Sequence, residues 1–373
     1  MSARPWATCP ASGMTTTARN AATVVLRELT PRITLATLPT PLVPAATLAT
    51  TLDLDALQIK NDGQTGKVYG GNKVRKLEFL FGDAMHRGCD CVITFGAAGS
   101  NHALATAIYA TRLGLKCHVV MSDQPVTPYI AQTLRYHALL GTNLVLANDY
   151  GESIDIADQL AAHHPTGARR LYRIPWGGSS PLGALGFVNA AFELADQCGD
   201  IAPDVIYVAC GTMGTVAGLA LGLRLAGLKT RINAVSVVPP SLSTATGIAG
   251  LFVAANQKLH EIDTTIPLLE DPLVNLTLRD EFFGSGYAET TSECTQAVAL
   301  IHNTEDITLE MTYTGKALAA LIHDARRQRL TGQRVVFWNT YNTRPYPPAV
   351  NAAQETSLPD WARHYLPTAT DAQ

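Results

Sequence analysis

The stretch GGNKVRKLE, residues 70–78, decides how the rest of the chain is interpreted. Its two glycines permit backbone conformations with positive φ, and Asn72 adds a side-chain donor beside them. After Lys73, charged and apolar residues alternate at helical spacing, so we expect this lysine at or near a helix start. The helix dipole and the cations Arg75 and Lys76 favour a lowered amine pKa there. The plain alternative is a basic turn before an amphipathic helix.

A second segment has the pattern of a strand, a glycine-rich turn and a helix start. The sequence GAAGSNHA, residues 96–103, follows the apolar run of residues 91–95 and precedes a helical pattern that extends to Leu113. Backbone N–H groups at a helix start can bind an anion such as a carboxylate.

A third segment, CGTMGT at residues 210–215, also joins an apolar strand pattern to a helical one. Its backbone N–H groups and threonine hydroxyls would suit a phosphate. A tight strand-to-helix turn without a ligand is the alternative, because short glycine-containing turns are common.

With Asn61 and Asp62, these segments resemble the pyridoxal-phosphate-dependent family that contains 1-aminocyclopropane-1-carboxylate (ACC) deaminase and D-cysteine desulfhydrase. The resemblance covers about residues 38 to 340. It implies that pyridoxal 5'-phosphate is the cofactor and that Lys73 binds it covalently and is catalytic. It further implies a catalytic Ser100, substrate contacts from Ser100, Asn101 and His102, and cofactor contacts from Asn72, Gly211, Thr212, Met213, Gly214, Thr215 and Thr314.

The segment YTGKA, residues 313–317, closely matches the same family. In the ACC deaminase branch a glutamate follows the tyrosine and meets the pyridine nitrogen, whereas this chain has Thr314. A neutral hydroxyl there gives a weaker electron sink, which suffices for loss of a good β leaving group such as a thiol. Thr314 therefore favours β-elimination, and Tyr313 is a candidate catalytic residue. The alternative for Tyr313 is a core tyrosine at a helix start.

The sequence GSGYA, residues 284–288, resembles the family's G-Y-G segment, whose tyrosine reaches the active site. Tyr287 is therefore a second candidate for proton transfer or substrate contact. An exposed loop tyrosine is an equally simple interpretation.

Several positions depart from the family pattern. The chain has Glu310-Met311-Thr312 where D-P-V is frequent, and residues 339–342 read NTYN where many members have H-T-G-G. Met213 replaces a glycine or small residue and is expected to narrow the pocket without disturbing backbone contacts to phosphate. Leu104 and Ala105 replace an Arg-Gln pair that many relatives have. His102 could therefore be a histidine whose hydrogen bonds are made within the helix start rather than one that contacts the substrate. These departures leave the substrate's identity open.

Composition limits the classes of function. Of the 373 residues, 47% are hydrophobic and 16% are charged, and the net charge is −3, so there is no basic surface to bind nucleic acid. The seven cysteines are irregularly spaced, which is typical of reduced intracellular thiols and provides no predicted metal site. No apolar run approaches the roughly 20 residues that span a bilayer, so we expect no membrane association.

Strand and helix patterns alternate from Leu57 onward, which predicts an α/β fold with mostly parallel sheets covered by helices. The resemblance implies the two-lobed pyridoxal-phosphate fold type II. Residues 33–79 and 182–373 are predicted to form a large cofactor-binding domain and residues 80–181 a small domain. Residues 1–32 are predicted to be a disordered extension, whose Arg, Ser and Thr content leaves organelle targeting open. Residues 33–57 should lack regular structure.

The predicted activity is α,β-elimination on a small β-substituted amino acid, with D-cysteine first. The alternatives are ACC deamination, cysteate sulfo-lyase activity, and a catalytically silent cofactor-binding or scaffold protein. The family implies a homodimer, and the expected location is the cytoplasm.

Overall fold

The computed structural model describes residues 13–164, 170–353 and 355–367. Ten strands in this part of the chain form two separate sheets, one of six strands and one of four. Helices cover both sheets, as the predicted fold class requires.

The six-stranded sheet has the order β1-β2-β10-β7-β8-β9. Only the β1–β2 pair is antiparallel; the other pairs in this sheet are parallel. Strands β7 and β10 are almost fully buried, which explains their nearly continuous apolar sequences. The strands are β1 (Leu42–Pro44), β2 (Ala56–Asn61), β7 (Val205–Cys210), β8 (Arg231–Ser236), β9 (Leu276–Arg279) and β10 (Arg334–Asn339).

The four-stranded sheet has the order β5-β4-β3-β6 and is parallel throughout. Its strands are β3 (Cys91–Ala97), β4 (Lys116–Ser122), β5 (Asn143–Ala147) and β6 (Leu171–Arg173). All four lie within the predicted small domain, whose limits at residues 80 and 181 stay a prediction.

The helices follow the predicted alternation closely from residue 73 onward. Helices α7 and α8 pack together and, with α9, contribute to a core against the large sheet. The helices are α1 (Gly13–Val24), α2 (Ala46–Thr51), α3 (Lys73–His86), α4 (Asn101–Arg112), α5 (Ile130–Leu140), α6 (Tyr150–Ala162), α7 (Pro181–Cys198), α8 (Gly214–Leu225), α9 (Ala245–Ile262), α10 (Ser292–Glu305) and α11 (Thr314–Arg326).

The prediction of a disordered extension is wrong for its described part, residues 13–32, and the rest of it lies outside the described residues. Helix α1 continues as a π-helical turn over Val25–Leu29. Ala18, Ala22, Val25 and Leu26 are buried in the core beside α7 and α8, because they recur on one face of the helix. Residues 33–57 also contain the unpredicted β1 and α2.

The end of the described chain packs against the small sheet rather than the large one. Val350, Leu358, Ala362 and Tyr365 are buried in the same cluster as residues of β4, α4 and α5. The predicted large domain of residues 182–373 therefore has a C-terminal segment that crosses to the small lobe.

Within the described residues, no helix is both long and apolar enough to cross a membrane. The same residues contain no group of three or more His, Cys, Asp or Glu side chains placed to hold a metal ion.

Candidate active site

The glycine pair fixes the backbone in front of Lys73, the first residue of α3. Gly71 has φ +88°, a conformation that favours glycine, and its N–H donates to the Asp62 carbonyl over 2.7 Å. The Gly70 N–H donates to Oδ1 of Asn342 over 2.6 Å. The segment that departs from the family pattern, residues 339–342, thus helps to support the lysine loop.

Asn72 connects the lysine to the next motif. Its Oδ1 accepts from Nζ of Lys73 over 3.1 Å, and its Nδ2 donates to Oγ1 of Thr215 over 3.1 Å. Its backbone N–H donates to the Thr340 carbonyl over 3.1 Å. The predicted proximity of Lys73, Asn72 and Thr215 is therefore present.

The amine of Lys73 has a pKa lowered to about 8, chiefly because burial disfavours its charged form. The nearby Glu310 carboxylate opposes this by raising the pKa. The cations invoked from the sequence are not the main cause. Arg75 is neutralised in a buried cluster, where it donates to Asp62 and Glu193 over 2.8 to 3.1 Å.

The predicted phosphate loop lies between β7 and the N-terminus of α8. Met213 has φ +66°, which explains the family preference for glycine at this position. Its sulfur lies 3.4 Å from the Thr244 N–H and against Gly247 at the start of α9. Met213 is not among the residues that line the cavity described below, and the expected narrowing of the pocket stays a prediction.

Two residues that we did not predict close the other side of this loop. The Ser179 Oγ lies 2.7 Å from Oγ1 of Thr212 and accepts from the Gly214 N–H over 3.2 Å. Nζ of Lys76 donates to Ser179 Oγ over 3.1 Å and to the Gly177 carbonyl over 3.2 Å. Burial lowers the pKa of Lys76 well below its usual value. The sequence signal that could have indicated this contact is Lys76, the second lysine of the stretch at residues 70–78.

Ser100 and Asn101 form the start of α4, as predicted. The Ser100 Oγ accepts from the Ala103 N–H over 3.2 Å, which caps the helix and leaves the hydroxyl hydrogen to donate. Oδ1 of Asn101 accepts from the Tyr69 hydroxyl over 2.9 Å, so the amide nitrogen of Asn101 is the group left to donate. Both donors stand at a helix N-terminus, where an anion is favoured.

His102 is buried behind this helix start rather than in the cavity. Its Nε2 lies 3.0 Å from Oγ1 of Thr94, and Gly178 packs against its ring. Burial lowers the pKa of His102 well below its usual value, and the charges of Lys73 and Lys76 lower it further. This geometry favours a neutral packed histidine, the alternative that the sequence left open.

Tyr287 and Tyr313 meet as a pair at the cavity. Their hydroxyls share a short hydrogen bond, and their rings stand at 74° with centroids 6.2 Å apart. Burial raises the pKa of Tyr287 to about 12 and the pKa of Tyr313 well above its usual value. The structure therefore brings together the two predicted tyrosines, although they lie 26 positions apart in the sequence.

Glu310 is the functional residue that the sequence analysis missed by treating it only as a departure. Its carboxylate accepts from the backbone N–H groups of Thr312, Tyr313 and Thr314 over 2.6 to 2.9 Å. The Thr314 hydroxyl donates to the same carboxylate over 2.9 Å. Burial raises the pKa of Glu310 while these donors oppose the rise. Glu310 thereby caps α11 and orients Thr314.

The cavity between the two sheets is polar and rich in tyrosine. Five tyrosines line it, and among its described lining residues Glu310 is the one carboxylate, with no Arg, Lys or His. The complete lining is Gly99, Asn101, Gln124, Thr127, Tyr129, Thr133, Tyr287, Glu310, Thr312, Tyr313, Tyr341 and Tyr346. Seven of these twelve residues lie in segments that the sequence singled out, whereas no motif marked the other five, which are Gln124, Thr127, Tyr129, Thr133 and Tyr346.

The donor set fits the cofactor that the family resemblance implied. The Thr215 hydroxyl accepts from Asn72, so its hydrogen is left to donate to a phosphate beside the N–H groups of α8. Lys73 supplies an amine of lowered pKa for the aldehyde. A Cβ added to Gly211 would lie 3.9 Å from the Tyr313 ring, which places the phosphate loop next to the tyrosine pair.

Comparisons with known proteins identify the family of the chain. The family model described as "Pyridoxal-phosphate dependent enzyme" matches residues 33–340. The D-cysteine desulfhydrase of Klebsiella pneumoniae is 35% identical over 312 residues, covering 82% of this chain and 92% of that protein. The D-cysteine desulfhydrase of Salmonella choleraesuis is 35% identical over 318 residues, covering 80% and 90%.

Solved structures agree on the fold. An ACC deaminase homologue superposes with a TM-score of 0.75 at 31% identity, covering 85% of this chain and 94% of that one. A fungal L-serine ammonia-lyase from Rhizomucor miehei, at 20% identity, has a TM-score of 0.58 and covers 87% and 100%. The predicted fold type II, family and cofactor are confirmed, and the chain belongs to the pyridoxal-phosphate-dependent enzymes.

Proposed function

We propose that this enzyme is a lyase that removes the β substituent of a small amino acid, with D-cysteine as the first substrate. The reaction consumes D-cysteine and water and yields pyruvate, ammonia and hydrogen sulfide. The observation that carries the proposal is the 35% identity, over 312 residues, to a protein named D-cysteine desulfhydrase. Thr314 at the position of the family's glutamate supports elimination.

In this proposal the amine of Lys73 would hold the cofactor, and the same amine would take the proton from Cα of the substrate. Its lowered pKa of about 8 leaves a usable fraction of the amine unprotonated near neutral pH. The N-terminus of α8, Thr212 and Thr215 would hold the phosphate, and the amine of Lys76 would support this loop through its hydrogen bond to Ser179. The bound cofactor supplies an electron sink for the negative charge at Cα.

The substrate carboxylate is assigned to the start of α4. Ser100 and Asn101 each have a donor left there, and Gly99 and Asn101 line the cavity. This binding orients Cα toward Lys73. Tyr313 and Tyr287 are assigned to proton transfer at the leaving group, because their raised pKa values keep both hydroxyls protonated at neutral pH.

The charge of the cavity argues against cysteate as the preferred substrate. A sulfonate would enter a space whose described lining contains Glu310 and no cationic side chain. Two negative charges in such a partly desolvated site repel each other. The neutral thiol of cysteine avoids this cost.

ACC deamination is the second candidate, and the similarity to an ACC deaminase homologue supports it. The Thr314 hydroxyl is engaged by Glu310, so residue 314 presents no negative charge of its own. A Thr314→Glu variant would place a second carboxylate beside Glu310. We expect it to lose elimination activity relative to ACC turnover, and unchanged relative rates would contradict the role given to Thr314.

The first experiment is an absorption spectrum of the purified protein with added pyridoxal phosphate, followed by keto-acid assays. D-cysteine, L-cysteine, D-cysteate and ACC are added separately. A band of lysine-bound cofactor with pyruvate formed fastest from D-cysteine is the expected result. Faster formation of 2-oxobutyrate from ACC would favour the second candidate, and a band without turnover would indicate a catalytically silent homologue.

We also propose that the chain is a cytoplasmic homodimer, on the basis of the family resemblance. Size-exclusion chromatography with light scattering should give twice the mass of one 39.8 kDa chain. A tagged full-length protein should distribute with cytoplasmic markers, and enrichment in an organelle would indicate that the N-terminal segment acts in targeting.

A further inference from the structure

Tyr341 is a bulky side chain in a segment where many members of the family have glycine. It lies two residues after the end of β10 and lines the cavity together with Tyr129, Glu310 and Tyr346. Burial raises the pKa of the Tyr341 hydroxyl, and the charges of these same three neighbours raise it further. The phenol therefore lies among the cavity residues rather than in solvent.

The backbone on both sides of Tyr341 is anchored to buried polar groups. Its N–H donates to Oδ1 of Asn339 over 3.1 Å, and Nδ2 of Asn339 donates to Oδ1 of Asn61 over 3.1 Å. Asn342 accepts the Gly70 N–H in the lysine loop. Such anchoring restrains the backbone that carries the ring, because a shift of this segment would leave two separate buried groups without their partners.

The anchoring also fixes where Tyr341 stands relative to the reacting lysine. The preceding residue, Thr340, accepts the backbone N–H of Asn72, which itself precedes Lys73. On another side of the cavity stand Tyr287 and Tyr313. Glu310, which lines this cavity, is also near enough to Lys73 to raise its pKa. A substrate side chain that extends from Cα near Lys73 would therefore enter the space that Tyr287, Tyr313 and Tyr341 line.

We propose that Tyr341 is a specificity-determining residue that limits the size of the substrate's β substituent. This proposal rests on the proposed function only for the chemical identity of the β substituent. In this proposal a thiol or a chlorine atom is small enough to fit in front of the Tyr341 ring, whereas a benzylthio group would collide with that ring. One methylene more or less in a substrate pocket changes discrimination by about 10- to 200-fold, so removal of a whole ring should change it by at least about tenfold.

The test compares β-chloro-D-alanine, D-cysteine, S-methyl-D-cysteine and S-benzyl-D-cysteine with the holoenzyme and its Tyr341→Ala variant. We expect the ratio of kcat/KM for S-benzyl-D-cysteine to that for D-cysteine to rise at least tenfold in the variant. Tyr341→Phe keeps the ring and should leave the ratio within about twofold of the wild type. Tyr150→Ala is the matched control, since Tyr150 is 67% exposed on α6.

A binding measurement separates this proposal from the proposed function. Each amino acid is titrated while the absorption of the bound cofactor is followed, which reports occupancy whether or not elimination occurs. If the wild type releases no sulfide from D-cysteine, the proposed function fails. Tighter binding of S-benzyl-D-cysteine by Tyr341→Ala than by the wild type would still support the proposal that Tyr341 limits substituent size. Equal affinities for S-benzyl-D-cysteine in the two proteins would overturn it. Tyr341→Leu repeats the test if Tyr341→Ala unfolds.

Discussion

The cofactor side of the active site is built differently from the substrate side. Around Lys73 and the loop of residues 211–215, positions are set by backbone hydrogen bonds, helix starts and two residues with positive φ, Gly71 and Met213. On the substrate side, a cavity is lined by side chains from many segments, including Tyr287, Tyr313 and Tyr341. The cofactor side is thus formed by short local segments that resemble the motifs of the family. The substrate side depends on which side chains from distant segments meet at the cavity.

The support beneath the two sides differs in the same way. Under α3, Arg75, Lys60, Asp62 and Glu193 form a buried cluster in which both cations are paired with carboxylates. Loss of one member would leave an uncompensated buried charge, so this cluster holds the helix that carries Lys73 in place. Around the cavity, by contrast, the described lining includes five tyrosines and no ion-pair cluster, so we expect replacement of a single tyrosine to have less effect on the backbone. The comparison indicates that cofactor binding should tolerate mutation poorly and that specificity should be adjustable.

The largest expected effect is from Lys73→Ala, which removes the amine at the centre of the cofactor side. We expect the band of lysine-bound cofactor to disappear and keto-acid formation to fall by more than about a thousandfold. Lys67→Ala, on an exposed lysine in the same connection, is the control. Retention of the band and of turnover in Lys73→Ala would contradict the central assignment.

On the substrate side, Tyr313→Phe and Tyr287→Phe should each lower kcat by about 10²- to 10⁴-fold, because a proton-transfer group is lost. The cofactor band should persist in both variants, which separates the two sides of the site. Since the hydroxyls are bonded to each other, the double variant should lose much less than the sum of the two. Additive losses would show that the tyrosines act independently.

The pH dependence tests the lowered pKa of Lys73. Only the unprotonated amine captures pyridoxal phosphate, and the pKa is about 8. The rate of capture by apoprotein should therefore rise by about tenfold per pH unit below pH 8 and level off above it. A rise that continues toward pH 10 would mean that burial does not lower this pKa.

Thr215→Val removes the hydroxyl assigned to phosphate and leaves Nδ2 of Asn72 without its acceptor. We expect the affinity for pyridoxal phosphate to fall by about tenfold, as loss of one charge-assisted hydrogen bond implies. The KM for D-cysteine, measured with saturating cofactor, should change by less than about twofold. An unchanged cofactor affinity would remove Thr215 from the phosphate site.

The smallest expected effect is a loss of stability in Gly71→Ala, by about 1 to 3 kcal/mol. Gly71 has φ +88°, and an added Cβ would lie 3.0 Å from the Thr340 carbonyl oxygen. Gly88→Ala is the matched control, since Gly88 has φ +70° and an added Cβ would meet nothing within 4 Å. Thermal unfolding should rank the two variants in that order. Equal losses would show that the contact with Thr340 adds nothing to the backbone strain.

Local patterns were enough to predict most of the helices and strands from residue 73 onward, and they marked the three motif segments. Lys73 begins a helix as expected, because periodicity and helix-start chemistry act over a few neighbouring residues. Helix α1 and strand β9 were missed. The apolar residues of α1 are stabilised by packing into the core, and β9 is stabilised by pairing with β8. Both contacts exist only in the folded protein.

Only the tertiary structure decided how the substrate side is formed. It placed His102 on Thr94, turned Met213 toward α9, and gave Glu310 and Tyr341 positions at the cavity. These outcomes depend on contacts between residues far apart in the chain, which no local pattern encodes. The family and cofactor could therefore be inferred from short segments, because a lysine loop and an anion-binding helix start are local structures.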